Sequence, residues 1–272
     1  MLKLSIITIN YNNSIGLKKT MESVFGQTSH EFEYIVVDGD SVDGSKEVIT
    51  QYDNLPLHPY SWITEIDNGI YQAMNKGIRM AKGEFIQFLN SGDLLVNNDV
   101  TELMLNSIPE DCNIFYGNML KQLPKKIIRD SGFTGRMPTM FDFYTGTLNH
   151  SPTYIKRSLF ETYGLYDESL KIVSDWKWYL NVMMFNNILA VYNNIDVSIF
   201  DMNGISNINP SLEKFERSKV LKEMLPLSIL QDYEQYFNQI DQFKRLNHYW
   251  IIRKGCWFIE RLIFQLEKWN LK

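Results

Sequence analysis

The chain has 272 residues, of which 44% are hydrophobic and 22% charged, a composition typical of a protein with a sizeable buried core. Its 27 Lys and Arg against 32 Asp and Glu give a net charge of −5. This acidity argues against a nucleic-acid-binding protein, because such proteins carry a basic excess.

Four short apolar runs in the first hundred residues predict strands, at residues 4–9, 34–37, 62–66 and 84–89. Each run is followed by apolar residues at helical spacing, most regularly over residues 70–81. This alternation predicts an α/β fold with a mostly parallel sheet flanked by helices. In such sheets ligands bind at the carboxyl ends of strands. Polar clusters occur at or just after the four strand ends, at residues 10–13, 38–45, 67–69 and 90–93.

The pattern becomes mixed after residue 110 and helical after residue 210. Short apolar runs predict further strands, at residues 114–116, 126–129, 153–155 and 197–200. Residues 174–184 predict a helix. The two cysteines, Cys112 and Cys256, lie far apart and form no metal-binding pattern.

The binding edge lacks the motifs of the commonest nucleotide sites. Neither a P-loop nor a G-x-G-x-x-G pattern follows the first strand, which disfavours a dinucleotide or a triphosphate held by a P-loop. A nucleotide would instead stack on Tyr11 and donate hydrogen bonds to Asp38. Asp93, with Asn90, would hold a hard divalent cation that neutralises a diphosphate. Both aspartates would equally suit turns and helix caps.

Four segments of this edge carry a resemblance to a known family. The segments SIITINYN (5–12), EYIVVDGDSVDGS (33–45) and GEFIQFLNSGD (83–93) resemble glycosyltransferase family 2 in order and interval. The segment EIDNGIYQAMNKG (65–77) is similar to a bacterial subgroup of exopolysaccharide and cell-surface glycan enzymes that includes the colanic-acid type. The resemblance covers roughly residues 1–205. It implies a Rossmann-like GT-A fold, a nucleotide-sugar donor, Mn²⁺ or Mg²⁺, and inversion at the anomeric carbon.

The resemblance also implies roles for individual residues. The positions assigned to donor binding are Thr8, Tyr11, Asp38, Asp40, Asp67, Asn90 and His150. Asp40 substitutes for the family's second Asp, because Gly39 stands at that position. The family's metal motif is reduced to a single carboxylate, Asp93, in the segment Asn90-Ser91-Gly92-Asp93.

The catalytic base is expected in the second half of the chain. Ser174-Asp175 matches the acidic residue that family members carry at the start of a helix. An inverting transfer needs one carboxylate to remove the proton of the acceptor hydroxyl. Asp175 would equally serve as a helix N-cap. His150 suits either a contact to the diphosphate or the acceptor, or a purely structural role.

The motifs divide the chain into two predicted parts. Residues 1–205 form a catalytic domain, with a nucleotide-sugar half over about 1–110 and an acceptor half over about 110–205. Residues 206–272 form a helical extension. Within it, residues 250–272 hold five Lys or Arg, two Glu and several aromatics, a composition that suits a membrane interface. Residues 245–272 would equally pack on the catalytic domain or on a second copy of the chain.

The sequence also predicts the location of the protein. No signal peptide and no apolar run of 18 residues occurs, so we expect a cytoplasmic protein, with the inner face of the membrane as a place it would bind peripherally.

Two functions are consistent with the sequence. The first is an inverting glycosyltransferase that moves a sugar, expected from a UDP donor, to a hydroxyl of a glycan or a lipid-linked acceptor in bacterial cell-surface polysaccharide synthesis. The second is a non-catalytic partner that binds sugar nucleotides or glycans within a biosynthetic complex. The reduced metal motif favours the second function, and the four ordered segments with Asp175 favour the first.

Overall fold

The computed structural model of the chain describes residues 2–53, 59–123, 126–134, 136–202 and 209–247, together with residues 254, 255, 257, 259, 261, 263 and 264. The chain divides into two compact units, Met1–Arg217 and Ser218–Lys272. The first unit continues past residue 205, where the sequence places the end of the catalytic domain, as far as Arg217. In the described part of the chain, no helix is both long and apolar enough to cross a bilayer.

The first half alternates strands and helices as the sequence predicts. The strands are Leu4–Asn10 (β1), Phe32–Asp38 (β2), Tyr60–Thr64 (β3) and Phe85–Phe88 (β4). The helices are Ser14–Phe25 (α1), Ser45–Thr50 (α2), Ile70–Met80 (α3) and Val100–Ser107 (α4). Every residue of β1, β2 and β4 is buried, because helices cover both faces of this part of the sheet.

The second half adds shorter helices and a more varied set of strands. The strands are Leu94–Leu95 (β5), Ile114–Leu123 (β6), Lys126–Asp130 (β7), Thr153–Lys156 (β8) and Ala190–Phe200 (β9). The helices are Met140–Thr145 (α5), Ser158–Tyr163 (α6), Ser174–Tyr179 (α7), Pro210–Met224 (α8) and Leu227–Asn247 (α9). The predicted helix over 174–184 is α-helical only to Tyr179 and continues as a π-helix over Leu180–Phe185.

The strands described here form one sheet in the order β3-β2-β1-β4-β8-β6-β9-β5, with β7 paired to β6. The first four strands are parallel, as predicted. Strand β8 then pairs antiparallel with both β4 and β6, while β9 runs parallel to β6. The predicted α/β fold is therefore confirmed. Strand β8 joins the parallel half to the mixed half.

Alternate residues of β1 face two different helical layers. Leu4 and Ile6 lie in the core cluster that also contains the buried residues of α1 and α4. Ile7 faces α3, where a Cβ on Gly77 would lie 2.5 Å from Ile7 Cγ2. The helix packs this closely because residue 77 has no side chain. This close packing places α3 directly against the strands whose ends form the edge described below.

Part of the basic and aromatic segment 250–272 is described. Trp257, Ile259, Ile263 and Phe264 are all exposed, and the Arg261 guanidinium lies 5.0 Å from the centre of the Trp257 ring. We expect two helical faces here, and five of their residues lie outside the described residues: Ile252, Cys256 and Leu266 of the apolar face, and Arg253 and Lys268 of the basic and aromatic face. The neighbouring Trp250 also lies outside them.

Candidate functional site

The segments that follow β1, β2, β3 and β4 meet at one edge of the sheet. The four strands are adjacent and parallel, so their carboxyl ends lie side by side. Asn10 pairs with Asp38 in the β1–β2 register, and the Glu65 N–H donates to the Asp38 carbonyl at 3.0 Å. The Ser91 N–H donates to the Ile9 carbonyl at 3.1 Å. The four polar clusters therefore form one candidate site.

Asp38 and Thr8 are both fully buried beneath this edge. Asp38 Oδ1 accepts from Asn10 Nδ2 and from Ser41 Oγ, each at 2.7 Å, and Asp38 Oδ2 accepts from the Ser41 N–H at 2.9 Å. Thr8 Oγ1 donates to the Leu89 carbonyl at 2.7 Å and accepts from Tyr34 Oη at 2.9 Å. Internal hydrogen bonds thus use most of the capacity of both side chains. Those of Asp38 hold the loop after β2, and those of Thr8 join β1 to β2 and to Leu89.

Tyr11, Gly39 and Asp67 lie together at the surface of the site. The Tyr11 side chain is 67% exposed. A Cβ on Gly39 would lie 2.8 Å from Asp67 Oδ2 and 3.1 Å from Tyr11 Cδ2. The space for a side chain at position 39 is thus already taken by two other site residues. Asp40 follows with a left-handed backbone, φ 61°, and is exposed.

Asp93 is the most buried carboxylate of the segment after β4, at 2% exposure. Its Oδ1 accepts from the Asp201 N–H at 2.8 Å, whereas its Oδ2 is buried without a hydrogen-bond partner. Asn90 Oδ1 is likewise buried and unpartnered. Two oxygens are therefore left without partners on a segment that the resemblance assigns to metal binding. Among the described residues, no group of three or more His, Cys, Asp or Glu side chains is arranged to hold a metal ion.

A line of hydrogen bonds joins this segment to Asp175. Asn90 Nδ2 lies 3.2 Å from His150 Nε2, and His150 Nδ1 lies 3.3 Å from Asp175 Oδ2. Tyr71 Oη, on α3, lies 2.8 Å from Asp175 Oδ1. With the Asn90 amide nitrogen facing Nε2, a neutral His150 accepts there and donates from Nδ1 to Asp175. A protonated imidazole would instead suit Asn90 Oδ1, which has no partner.

The charges along this line shift the pKa values of its members. Burial alone would raise the pKa of Asp175, but the hydrogen bond and charge of His150 and the hydrogen bond from Tyr71 lower it below its ordinary value. Burial alone would lower the pKa of His150, but Asp175, together with the charge of Asp93, raises it. Burial raises the pKa of Asp93 to about 6, against the opposing effects of the Asp201 N–H and His150. At neutral pH both carboxylates are therefore ionised and His150 is held between them.

The sequence does not predict four residues that shape the site. Tyr71 bonds Asp175 directly, and the Asp201 carboxylate packs against Gly92. Glu216 accepts from the N–H groups of Lys171 and Ile172, at 2.7 and 2.9 Å.

Arg217, the fourth of these residues, stacks over the Trp176 ring at 4.7 Å and donates to the Gly146 carbonyl at 3.1 Å. Tyr71 could have been found, since it lies inside the 65–77 segment. No sequence signal marks the other three, because their partners are 41 to 109 residues distant along the chain.

The arrangement has a definite chemical capacity. Asp175 is an ionised, partly buried carboxylate. Hydrogen bonds from Tyr71 and His150 hold it in one orientation, and in that orientation it can accept a proton. The exposed Tyr11 ring offers a flat apolar surface. The unpartnered oxygens of Asn90 and Asp93 are the ligand type that hard divalent cations prefer.

Comparison with protein families and individual proteins gives a consistent result. Residues 5–162 match the model of the family described as "Glycosyl transferase family 2". The chain is 27% identical over 217 residues to a "PGL/p-HBAD biosynthesis glycosyltransferase" of Mycobacterium tuberculosis, an alignment covering 75% of this chain and 78% of that protein.

Solved structures agree on the fold. TarS of S. aureus superposes with a TM-score of 0.61 at 19% identity, covering 81% of this chain and 42% of TarS, so the chain spans less than half of that protein's length. A shorter form of TarS, residues 1–349, has been solved in complex with UDP, with a TM-score of 0.59 at 18% identity and coverage of 81% and 70%. The mannosyltransferase PcManGT of Pyrobaculum calidifontis, in complex with GDP-Man and Mn²⁺, gives 0.59 at 16% identity, with 75% and 58% covered.

Replacing Asp93 by Asn should alter stability in a pH-dependent way. The pKa of Asp93 is about 6 in the folded protein, above the roughly 3.9 of an unfolded chain, so folding favours the protonated form. This stabilisation is complete below about pH 4 and is lost as the pH rises through 6. The Asn variant does not undergo that loss. Relative to wild type, its free energy of unfolding should therefore rise by about 2 kcal/mol between pH 4.5 and pH 7.5.

Urea denaturation at the two pH values measures this difference, and equal m-values for both proteins would show that the unfolding transition is unchanged. A difference between variant and wild type that is the same at both pH values would contradict the raised pKa of Asp93.

Proposed function

The chain belongs to glycosyltransferase family 2, and from this premise we propose that it moves a sugar from a nucleoside-diphosphate donor to an acceptor hydroxyl with inversion. The chain is a glycosyltransferase by its family; the donor, the stereochemistry and the residues that act are the proposal. The observation that carries it is Asp175, an ionised carboxylate held between His150 and Tyr71 at the edge where the four family segments meet.

In this proposal Asp175 is the catalytic base. The acceptor oxygen forms a bond to the anomeric carbon while the bond from that carbon to the diphosphate breaks. The electron pair of the broken bond leaves with the nucleoside diphosphate. Asp175 takes the proton of the acceptor hydroxyl as its oxygen attacks, and the lowered pKa keeps the carboxylate ionised until that moment. A single base is sufficient, because inversion needs one displacement.

The donor nucleoside would lie over the surface made by Tyr11, Asp67 and Asp40. The exposed Tyr11 ring is suited to stacking with a base, and Asp40 is exposed and suited to accept from a ribose or a base N–H. Asp38 would act indirectly, by holding the loop on which Asp40 lies, and Thr8 would act by joining β1 to β2 and to Leu89. We propose a uridine donor, an idea supported by the TarS neighbour that binds UDP.

A divalent cation fits the segment after β4. Asp93 Oδ2 and Asn90 Oδ1 are unpartnered oxygens, and Mn²⁺ or Mg²⁺ bound to them would share the oxygens of the donor diphosphate. The cation would supply charge neutralisation for the leaving diphosphate. His150, whose raised pKa favours the imidazolium, lies beside the same segment and would add positive charge there.

The acceptor would be a glycan or a lipid-linked sugar in bacterial cell-surface polysaccharide synthesis. The segment 65–77 supports this role, because it resembles the colanic-acid type of exopolysaccharide enzyme. The alternative is a non-catalytic partner that binds sugar nucleotides. The single unpartnered carboxylate oxygen at the metal position favours that alternative, and the hydrogen-bonded Asp175 disfavours it.

Replacing Asp175 by Asn should slow transfer strongly and leave donor binding intact. A panel of nucleotide sugars with and without Mn²⁺, read by thermal shift, identifies the donor, and released nucleoside diphosphate then measures turnover. Loss of the base should lower turnover by about 10²–10⁴-fold, while the thermal shift given by the donor stays close to that of wild type.

Asp167→Asn is the matched control, because Asp167 pairs with Lys177 of α7 and does not contact Asp175 or His150. It should keep near wild-type turnover. Asp175→Asn with wild-type turnover would reject Asp175 as the base. Wild-type protein that binds donor tightly but turns over none with any acceptor would favour the non-catalytic alternative.

The C-terminal extension supports a proposed location of the protein at a membrane surface. Residues 250–272 carry a net charge of +3, and the exposed Trp257, Phe264 and Ile263 add apolar surface beside Arg261. Basic and aromatic side chains together suit an acidic membrane surface. We place the enzyme on the inner face of the membrane through residues 245–272, where a lipid-linked acceptor would be reached. A second copy of the chain is the competing partner of this segment.

Removal of the residues after 245 should release the protein from acidic vesicles. In flotation, the full chain should rise with phosphatidylglycerol vesicles and stay behind with phosphatidylcholine vesicles, because the attraction is partly electrostatic. Equal flotation of the full and shortened chains would contradict the proposal that residues 245–272 bind the membrane. A change in oligomeric state on truncation, with no flotation of either chain, would favour the second copy.

A further inference from the structure

We propose that Tyr71 is a positioning residue that keeps Asp175 hydrogen-bonded both before and after Asp175 takes the acceptor's proton. The inference rests on the proposed role of Asp175 as the base. It gives Tyr71, a residue of α3, a function in the proton transfer to Asp175. Helix α3 lies in the predicted nucleotide-sugar half of the chain, about residues 1–110.

The observation is one hydroxyl group placed between two acceptors. Tyr71 Oη lies 2.8 Å from Asp175 Oδ1 and 2.5 Å from the Ile172 carbonyl oxygen. A phenol has a single O–H to donate, although its oxygen can also accept. The hydroxyl proton can therefore lie toward Asp175 or toward Ile172, but not toward both at full strength.

The two positions of this proton match the two states of the base. While Asp175 is a carboxylate, Tyr71 donates to Asp175 Oδ1. Once Asp175 has gained the acceptor's proton as a carboxyl O–H, it can donate that hydrogen to Tyr71 Oη, and Tyr71 then donates its own hydrogen to the Ile172 carbonyl. No proton leaves the tyrosine in this exchange; only the direction of its O–H changes. Asp175 Oδ1 is thus never left without a hydrogen-bond partner in this partly buried site, a loss that would be costly.

The surroundings keep the tyrosine protonated and fixed. Burial, followed by the nearby charge of Asp175, raises the pKa of Tyr71 well above its ordinary value, so the phenol is a donor and not a competing base. Its side chain is 4% exposed and packs against Tyr166, with ring centres 5.7 Å apart. Glu216 accepts from the Ile172 N–H at 2.9 Å and so restrains the residue whose carbonyl oxygen Tyr71 contacts.

Among the described residues, five ionisable groups lie close enough to Asp175 for their charges to interact with its carboxylate. They are His150, Tyr71, Tyr166, Tyr179 and Arg217. The hydrogen bonds from His150 and from Tyr71 both lower the pKa of Asp175. Loss of the Tyr71 hydroxyl should therefore raise the pKa of Asp175.

The test is Tyr71→Phe, which removes the hydroxyl and keeps the ring. With the donor and acceptor found for wild type, kcat should fall by about 10–100-fold, since a hydrogen bond to a charged group is lost. The KM for the donor should stay unchanged, because Tyr71 bonds the base and not the proposed donor surface. The acidic limb of the kcat profile should move to higher pH.

Tyr166→Phe is the matched control. Tyr166 is as buried as Tyr71 and lies against it, but its hydroxyl has no hydrogen-bond partner. This variant should keep the wild-type kcat and pH profile. A loss of kcat in Tyr166→Phe equal to that in Tyr71→Phe would overturn the proposal, because packing alone would then account for both.

A double variant separates this inference from the proposed function. If Tyr71 acts through Asp175, Tyr71→Phe should have no further effect on the residual rate of Asp175→Asn. The same fold-loss in both backgrounds would overturn the proposal, as would a wild-type kcat and acidic limb in Tyr71→Phe alone. Full activity of Asp175→Asn would instead show that the assignment of the base is wrong.

Discussion

The candidate site depends on one imidazole that joins two parts of the fold. His150 reaches Asn90, on the segment after β4, with one ring nitrogen, and Asp175, at the start of α7, with the other. The first contact belongs to the half of the sheet that carries the family segments, and the second to the half that carries the proposed base. Because both ring nitrogens are engaged, the ring orientation restrains the position of Asp175 relative to Asn90. The charges of Asp175 and Asp93 in turn favour the protonated imidazole.

Several polar groups around this bridge are arranged by the need to satisfy buried backbone. Glu216 receives two consecutive N–H groups, those of Lys171 and Ile172, just before α7. Arg217 covers the Trp176 ring and donates to the carbonyl of Gly146, which lies shortly before His150. Buried polar groups without partners are costly, so these contacts restrict how the segments on both sides of Asp175 can lie. Two adjacent residues of α8 thus support the site although they lie outside the span matched by the family.

Much of the fold, and part of the site, can be predicted from the sequence. The apolar runs of β1, β2 and β4 are continuous because both faces are buried, and this makes their carboxyl ends easy to locate. Tyr11 and Asp40 are exposed at these ends, whereas Asp38 turns inward to Asn10 and Ser41. Local sequence does not decide between these directions, because both occur in polar loops after strands.

The remaining features depend on contacts between distant segments. Asp67 and Tyr11 occupy the space that a side chain at position 39 would need. The shared hydroxyl of Tyr71 depends on Ile172 and Asp175, about a hundred residues later. The change from α- to π-helix after Tyr179 has no evident signal in residues 174–184. Spacing identifies which residues lie near the edge, and packing decides what each one contacts.

The most direct test of this account is the pKa of His150, measured by NMR of the histidine rings. The chain has four histidines, and His150→Gln assigns the resonance. We expect a His150 pKa above the ordinary value of about 6.5 in the wild type, and a lower value in Asp175→Asn, which removes one of the two charges that favour the imidazolium. A His150 pKa that is unchanged by Asp175→Asn would contradict the bridge between the two halves of the site.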